Sequence, residues 1–445
     1  MDKHLSQVLK ASSWVPSLYF VEGLPYFFVM TVSVILYQRL GLPNDEIIEY
    51  TSWLYLPWVI KPFWSPIVDI FRTKRWWIVA MQILVGAALA GVAFTIRAPQ
   101  FVQWTLAFFW LMAFSSATHD IAADGFYMLG LSDRMQSVFV GIRSTFYRLA
   151  TIFCQGIVIM IVGNLEVYLQ NPAKAWTWTF YGAAALMLAF AVYHALAFTI
   201  WIRPDADHKR RETMSMGKVA KDFSETIYTF FKKPHVLIAI AFMLIYRLPE
   251  AILVKVCPLF LLDKPNLGGL GLTTMEVGFV QGTVGAIGLI VGGILGGILI
   301  SARGFRKLLW PMVCAITIPD LVYVFLAYYQ PDNLILINFC ISFEQFGYGF
   351  GFTAYMLYLI YFSQGNYKTA HYAFCTLFMA LSMMVPGVVL GKVLTWLEAS
   401  NVHVNYLSLF IIAVCLTPLT FLVAKFIKVD PEFGKKDDEQ CENQE

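Results

Sequence analysis

The sequence predicts an all-α polytopic membrane protein of twelve transmembrane helices arranged as two six-helix bundles. Three observations carry that prediction. Of 445 residues, 58% are hydrophobic and only 14% charged, with a mean hydropathy of +0.64. A soluble domain carries about 25% charged residues. Apolar runs recur along the chain at lengths that cross a ~30 Å hydrocarbon core at 1.5 Å per residue. The loops between them alternate in charge, with Lys and Arg concentrated on every second one. The net charge of +3 is small and gives no reason to expect a nucleic-acid partner.

Taken in order, the polar N-terminal segment to Ser13 precedes a first apolar run too long and too internal for a cleavable signal. Apolar runs follow at about 15–39, 51–70, 76–97, 102–128, 136–163 and 178–202, then at about 236–262, 276–300, 308–329, 334–362, 368–397 and 404–427. The expected domains are 1–202, a linker at 203–235, 236–427 and a tail at 428–445. With the N-terminus inside, the inside segments hold Lys3, Arg72, Lys74, Arg75, Arg203, Lys209, Arg210, Arg211, Lys232, Arg303, Arg306 and Lys307, among others. The outside loops hold Lys174 and Lys264, with Arg97 at an edge. That asymmetry puts both termini in the cytoplasm of a multi-pass protein. Within the linker, Val219, Phe223, Ile227 and Phe230 fall on one face between lysines from Gly217 to Lys233. This amphipathic helix either lies on the inner membrane surface or packs under the bundle.

The chemistry concentrates in SSATHDIAADGFYM, Ser115 to Met128, at the end of the fourth run. His119, Asp120 and Asp124 sit where a charge costs at least ~2.5 kcal/mol. Asp120 and Asp124, four apart, share a helix face, and the fifth run supplies Arg143 and Arg148. Apposed charges inside a bundle mark a solute or proton pathway; the alternative is an ion-pair lock between helices. Glu22 in the first run and Arg247 and Glu250 in the seventh are candidates for substrate contact or proton exchange, or for a salt bridge closing the cavity. Pro25 and Pro249 free backbone groups where a helix can bend. Lys61 lies about 12 Å deeper than Asp69 by helical rise and needs a carboxylate or the cavity. Asp69, Arg72, Lys74 and Arg75 form an acidic-then-basic turn able to latch helix ends as a cytoplasmic gate. Gly285, Gly288, Gly292 and Gly296 share a face suited to close helix packing. Glu344, among Tyr348, Tyr355 and Tyr358, is a further cavity candidate. Asp320 and Lys392 stand alone, and His194 and His371 read as structural. The seven cysteines show no ligand or disulfide spacing. His119 with two aspartates on one helix offers too few ligands for a metal. No cofactor is expected, the energy source being a proton gradient.

Gly23-Leu24-Pro25 and Arg247-Leu248-Pro249 fall at corresponding places in two six-helix halves, and basic turns follow the second and eighth runs. That arrangement resembles the major facilitator fold. More specifically, GLP in the first run, FWSPIVD closing the second, AFSSATHDIAADGF in the fourth, YRLA at Tyr147 to Ala150, YRLPEA in the seventh and TTMEVGFVQGTVGAIG entering the eighth resemble the AmpG-type muropeptide permease family. The branch also holds acetyl-coenzyme A transporters. The resemblance runs from about Val15 to Leu397. It implies proton-coupled import of anhydro-muropeptides across a bacterial inner membrane, with Asp120, Asp124 and Arg148 as the carried-over residues. His119 stands where the family usually has glutamine, and Ile70 where arginine is usual. Glu22 and Arg143 look additional. The expectation is a monomeric secondary transporter, not an enzyme, with the lipid bilayer and a polar small molecule as partners. The alternatives are a same-fold carrier of another bulky polar solute (peptide, siderophore or drug) and a membrane solute sensor.

Overall fold

A computed structural model describes residues 3–131, 133–201, 216–365, 367–430 and 433. The solvated start of the linker and most of the tail lie outside the described residues. Everything regular among the described residues is helical. A short helix, Lys3–Ser12, precedes the spans and had no counterpart in the hydropathy pattern. The long helical runs cover 15–39, 44–70, Lys74–Thr95, Phe101–Gly130, 133–169, Pro172–Trp201, Val236–Leu262, Thr274–Arg303, Phe305–Tyr329, Leu334–Ser363, Lys368–Ala399 and Tyr406–Phe426, twelve in all. Among the described residues, ten helices are long and apolar enough to cross a membrane. Runs 44–70 and Leu334–Ser363 are not among the ten, although spans were expected at about 51–70 and 334–362.

Helix satisfies every backbone group internally, as a membrane interior demands. Side chains finish the ends. The Thr73 hydroxyl accepts from the Trp76 N–H, and Thr273 and Glu276 form a reciprocal capping box. Lys233 donates to the carbonyls of Phe362 (2.5 Å) and Gln364 (2.6 Å), closing the end of the tenth span. Burial lowers the Lys233 pKa below the ordinary lysine value. Wider π-type turns occupy Phe28–Val32, just beyond Pro25, and also Phe153–Val158 and Gly278–Gly285. The seventh span breaks before Pro249, at Arg247 (φ −107°, ψ 16°).

The chain divides into two compact units. In the first, residues 1–43 and 53–225, the third span packs on the fourth and sixth, and the first on the fifth and fourth. Its core gathers Trp14, Leu18, Tyr19, Phe126, Tyr127 and Phe198. Gly23 permits the first span's close approach: a Cβ there would stand 2.7 Å from Ala150 Cβ. In the second unit, residues 44–52 and 226–445, the tenth span packs on the eighth, ninth and eleventh, and the seventh on the eleventh and twelfth. Phe230, fully buried, packs on Phe362, Phe374 and Phe378, so this end of the amphipathic helix is docked under the bundle. Large apolar side chains such as Phe94, Leu237 and Ile335, more than three-quarters exposed, face outward as a lipid-facing surface requires.

Candidate functional site

In the first unit the fourth span presents its two aspartates to different cations. The second span brings Lys61 to 3.4 Å from Asp120 Oδ2, and Trp58 Nε1 donates to the same oxygen at 3.1 Å. Trp58 and Lys61 are three residues apart, one helical turn, so both reach one carboxylate. Asp124 receives Arg143 Nη2 at 2.9 Å and the Tyr19 hydroxyl at 3.2 Å. The Arg143 guanidinium also lies 4.4 Å from the Tyr19 ring centre and 5.4 Å from that of Tyr127.

Of the expected arginines, Arg143 pairs with Asp124. Among the described residues Arg148 makes no ion pair, and the cation at Asp120 is Lys61. The physical reason is reach: Trp58 and Lys61 project from the neighbouring span directly onto Asp120.

Glu22 and His119 are buried at 7% and 1% exposure. A donor atom from each, with one from Asp120, falls within 4.8 Å of the others. Glu22 Oε2 and His119 Nδ1 have no hydrogen-bond partner among the described residues. The first span thus adds a third group to a cluster that the fourth span alone leaves short of ligands. Three such donors are close enough to hold a cation, but the Lys61 ammonium already supplies positive charge at Asp120. Gly125, next to Asp124, leaves room for the buried Lys74 stem, whose Cε would lie 2.8 Å from a Cβ there.

In the second unit Arg247 donates to the Tyr348 hydroxyl and lies 4.7 Å from the Phe352 ring centre, 5.6 Å from Tyr348 and 5.7 Å from Tyr355. The helix break before Pro249 aims its guanidinium into this aromatic cradle. Glu250, Asp320 and Glu344 are all buried; the Tyr323 hydroxyl (2.8 Å) and Gln345 Nε2 (2.9 Å) donate to Glu344 Oε2. Lys255, fully buried, donates to Thr51 Oγ1 at 3.0 Å. Lys392 reaches Glu49 at only 3.9 Å and is mostly exposed. His371 Nε2 lies 3.1 Å from Thr229 Oγ1. At the expected gate, the Asp69 side chain lies outside the described residues. Arg72, with a left-handed φ of 62°, covers Trp76, and Arg75 Nη1 donates to the Phe198 carbonyl at 3.1 Å.

Sequence reasoning missed Trp58, Tyr19, Gln82 and Phe352 as partners of the charged groups. The available signal for Trp58 was its one-turn spacing from Lys61. Gln82, whose Nε2 lies 3.0 Å from His119 Nε2, offered only its isolation as an amide in an apolar run.

The Major Facilitator Superfamily model matches residues 17–386. The chain is 24% identical over 379 residues to the anhydromuropeptide permease of Escherichia coli (strain K12), covering 84% of this chain and 72% of that one. It is 24% identical over 386 residues to putative transporter AmpG 4 of Rickettsia conorii, covering 84% of this chain and 87% of that one. Among solved structures, a D-xylose-proton symporter superposes with a TM-score of 0.70 at 11% identity, covering 98% of this chain and 100% of that one. A bacterial homologue of the human lysosomal transporter Spinster gives 0.65 at 14% identity, covering 96% and 97%. These relatives and neighbours are transporters, not enzymes.

Proposed function

The chain belongs to the Major Facilitator Superfamily, and from that premise we propose that this multi-pass membrane transporter is a proton-coupled importer of peptidoglycan fragments. It works by alternating access in a bacterial inner membrane with both termini cytoplasmic. The substrate class is supported by the likeness to an anhydromuropeptide permease across most of both chains. The orientation is supported by the loop charges. The coupling is supported by one observation above the others: Glu22, His119 and Asp120 converge inside the first unit with unsatisfied polar atoms, next to the Lys61 and Arg143 ion pairs. Ionisable groups at membrane depth are costly and are kept for ion or substrate handling. A carboxylate there takes a proton from one side and releases it to the other, while the two basic side chains keep the remaining charge balanced. Within the second unit, Arg247 in its aromatic cradle, with Glu250 and Glu344, offers polar groups to a substrate.

The test is uptake of a radiolabelled anhydro-muropeptide into proteoliposomes with and without an inward proton gradient. Accumulation should need the gradient. Unlabelled muropeptide should compete and acetyl-coenzyme A should not. Transport of another solute with muropeptide ignored would remove the substrate assignment, and gradient-independent accumulation would remove the coupling.

A further inference from the structure

We propose that Gln82 and His194 are positioning residues for the coupling cluster: with the half-buried Ser17 they form a chain that sets whether the free nitrogen of His119, Nδ1, is a donor or an acceptor. This rests on the proton-coupled reading above.

The chain has three links of equal length. Ser17 Oγ lies 3.0 Å from His194 Nε2, His194 Nδ1 lies 3.0 Å from Gln82 Oε1, and Gln82 Nε2 lies 3.0 Å from His119 Nε2. It joins the first, sixth, third and fourth spans. His194 and Gln82 are fully buried and His119 is 1% exposed. His194 is held flat by stacking on Phe190 and Phe198. At the far end His119 Nδ1 is unpartnered among the described residues, as is Glu22 Oε2. Buried polar atoms almost always find partners, so an unpartnered nitrogen at the end of an otherwise complete chain calls for an explanation.

Gln82 makes the chain two-valued. With its amide as drawn, Nε2–H donates to His119 Nε2, so the His119 hydrogen sits on Nδ1. His194 Nδ1–H then donates to Gln82 Oε1, and the Ser17 hydroxyl donates to His194 Nε2. With the amide turned end for end, every donor reverses. His119 Nε2–H donates to Gln82 Oε1, the amide donates to His194 Nδ1, and His194 Nε2–H donates to Ser17 Oγ. The Ser17 hydroxyl then finds its acceptor in the Trp14 carbonyl at 3.2 Å. Which amide orientation is present is assigned by such networks, and this one accepts both. In the first arrangement Nδ1 carries the hydrogen and offers a donor to a carboxylate of the cluster once one moves into reach. In the second Nδ1 offers a lone pair, which takes a proton from a carboxylic acid at Glu22 or Asp120 once that group moves into reach. The O–H bond breaks and the N–H bond forms, leaving a carboxylate and an imidazolium whose Nε2–H is held by Gln82. Gln82 reorients and does not itself carry the proton.

The charged and titratable groups around the cluster are Glu22 and Tyr19 from the first span, Lys61 from the second, Asp120 and Asp124 from the fourth, Arg143 and Tyr147 from the fifth and His194 from the sixth. Only His194 among them reaches His119 through Gln82.

The test is nitrogen NMR of purified full-length protein in detergent with 15N-labelled histidine imidazoles, His119→Gln identifying the His119 signals among seven histidines. Gln82→Leu, and separately His194→Phe, should move the His119 ring signals between the protonated and unprotonated nitrogen positions. His194→Gln, which can still bond to Gln82, should keep them nearer the parent. His119 signals unchanged in folded Gln82→Leu and His194→Phe would overturn the proposal. In proteoliposomes supplied with labelled anhydro-muropeptide, Gln82→Leu should lower gradient-driven accumulation more than it lowers exchange. Equal losses in both would overturn the positioning role. If the parent protein shows no gradient dependence while the NMR coupling stands, the tautomer chain survives and the proton-coupled reading falls.

Discussion

Asp120 and Asp124 are neighbours on one face, yet their surroundings differ enough to separate their roles. The side chains of the Arg143–Asp124 pair are 33% and 38% exposed, those of Lys61–Asp120 27% and 15%. A half-open pair is screened and worth about 0–1 kcal/mol. Stranding the more enclosed Lys61 should cost more, up to about 3 kcal/mol. Asp120→Asn should therefore lower the melting temperature in detergent more than Asp124→Asn. At the residue that carries the proton, Asp→Asn should also abolish gradient-driven accumulation and spare exchange. An ion-pair lock predicts otherwise: each single change destabilises, and neutralising both partners of a pair restores stability. If both Asp→Asn variants still concentrate substrate, coupling belongs to Glu22, Glu250 or Glu344. Arg148 makes no ion pair among the described residues, so Arg148→Ala should change stability by no more than about 0.5 kcal/mol. A normal melting temperature with lost exchange would assign Arg148 to the substrate. The charged members of this site were legible because charge in an apolar run is conspicuous. Their neutral partners were not, since Trp58, Tyr19 and Gln82 are unremarkable until another helix brings a charge to them.

At the scale of the element, the eighth span's glycines provide a sharp contrast. A Cβ at Gly292 would overlap the Phe346 carbonyl oxygen, and one at Gly288 would stand 2.6 Å from the Ser342 carbonyl oxygen. Gly297, on the same helix, would meet nothing within 4 Å. Gly292→Ala should destabilise by about 1–3 kcal/mol through forced separation of the helices. Gly297→Ala should be neutral or slightly stabilising, because it removes glycine's freedom in the unfolded chain. Thermal unfolding of the two variants compares them directly, and equal effects would refute the packing argument. The glycine spacing announced this interface in advance. The second run was read less well: it begins at Asn44, not near residue 51. Its first residues are polar and looked like loop. In the second unit Asn44 donates to Asp263 (2.9 Å) and to the Tyr406 hydroxyl (2.8 Å), and Asp45 accepts from Thr395 (2.6 Å). Hydropathy cannot see a polar turn whose partners lie hundreds of residues away.

At the scale of the whole molecule, the twelve helical runs followed from composition, run length and loop charge, because lipid imposes helix and a minimum length on anything that spans it. Sidedness is the remaining expectation. In intact cells a membrane-impermeant thiol reagent should reach a cysteine introduced near Asp332 and not one near Met214, a position outside the described residues. Labelling at Met214 would invert the orientation and the direction of transport.

The tenth span carries glycines on two sides. Gly349 meets the Leu289 carbonyl of the eighth span, while Gly347 and Gly351 meet the Ala315 and Met312 carbonyls of the ninth. At these contacts backbone comes close to backbone, with Ile316 and Pro319 side chains packed alongside at Gly351 and Gly347. Packing this close resists sliding, so these three helices are expected to move together. Glu344 and Tyr348, carried on the middle one, hold their spacing under load. The interrupted seventh helix at Arg247, whose guanidinium rests on Phe352 of the tenth span, is the place where this unit is expected to bend.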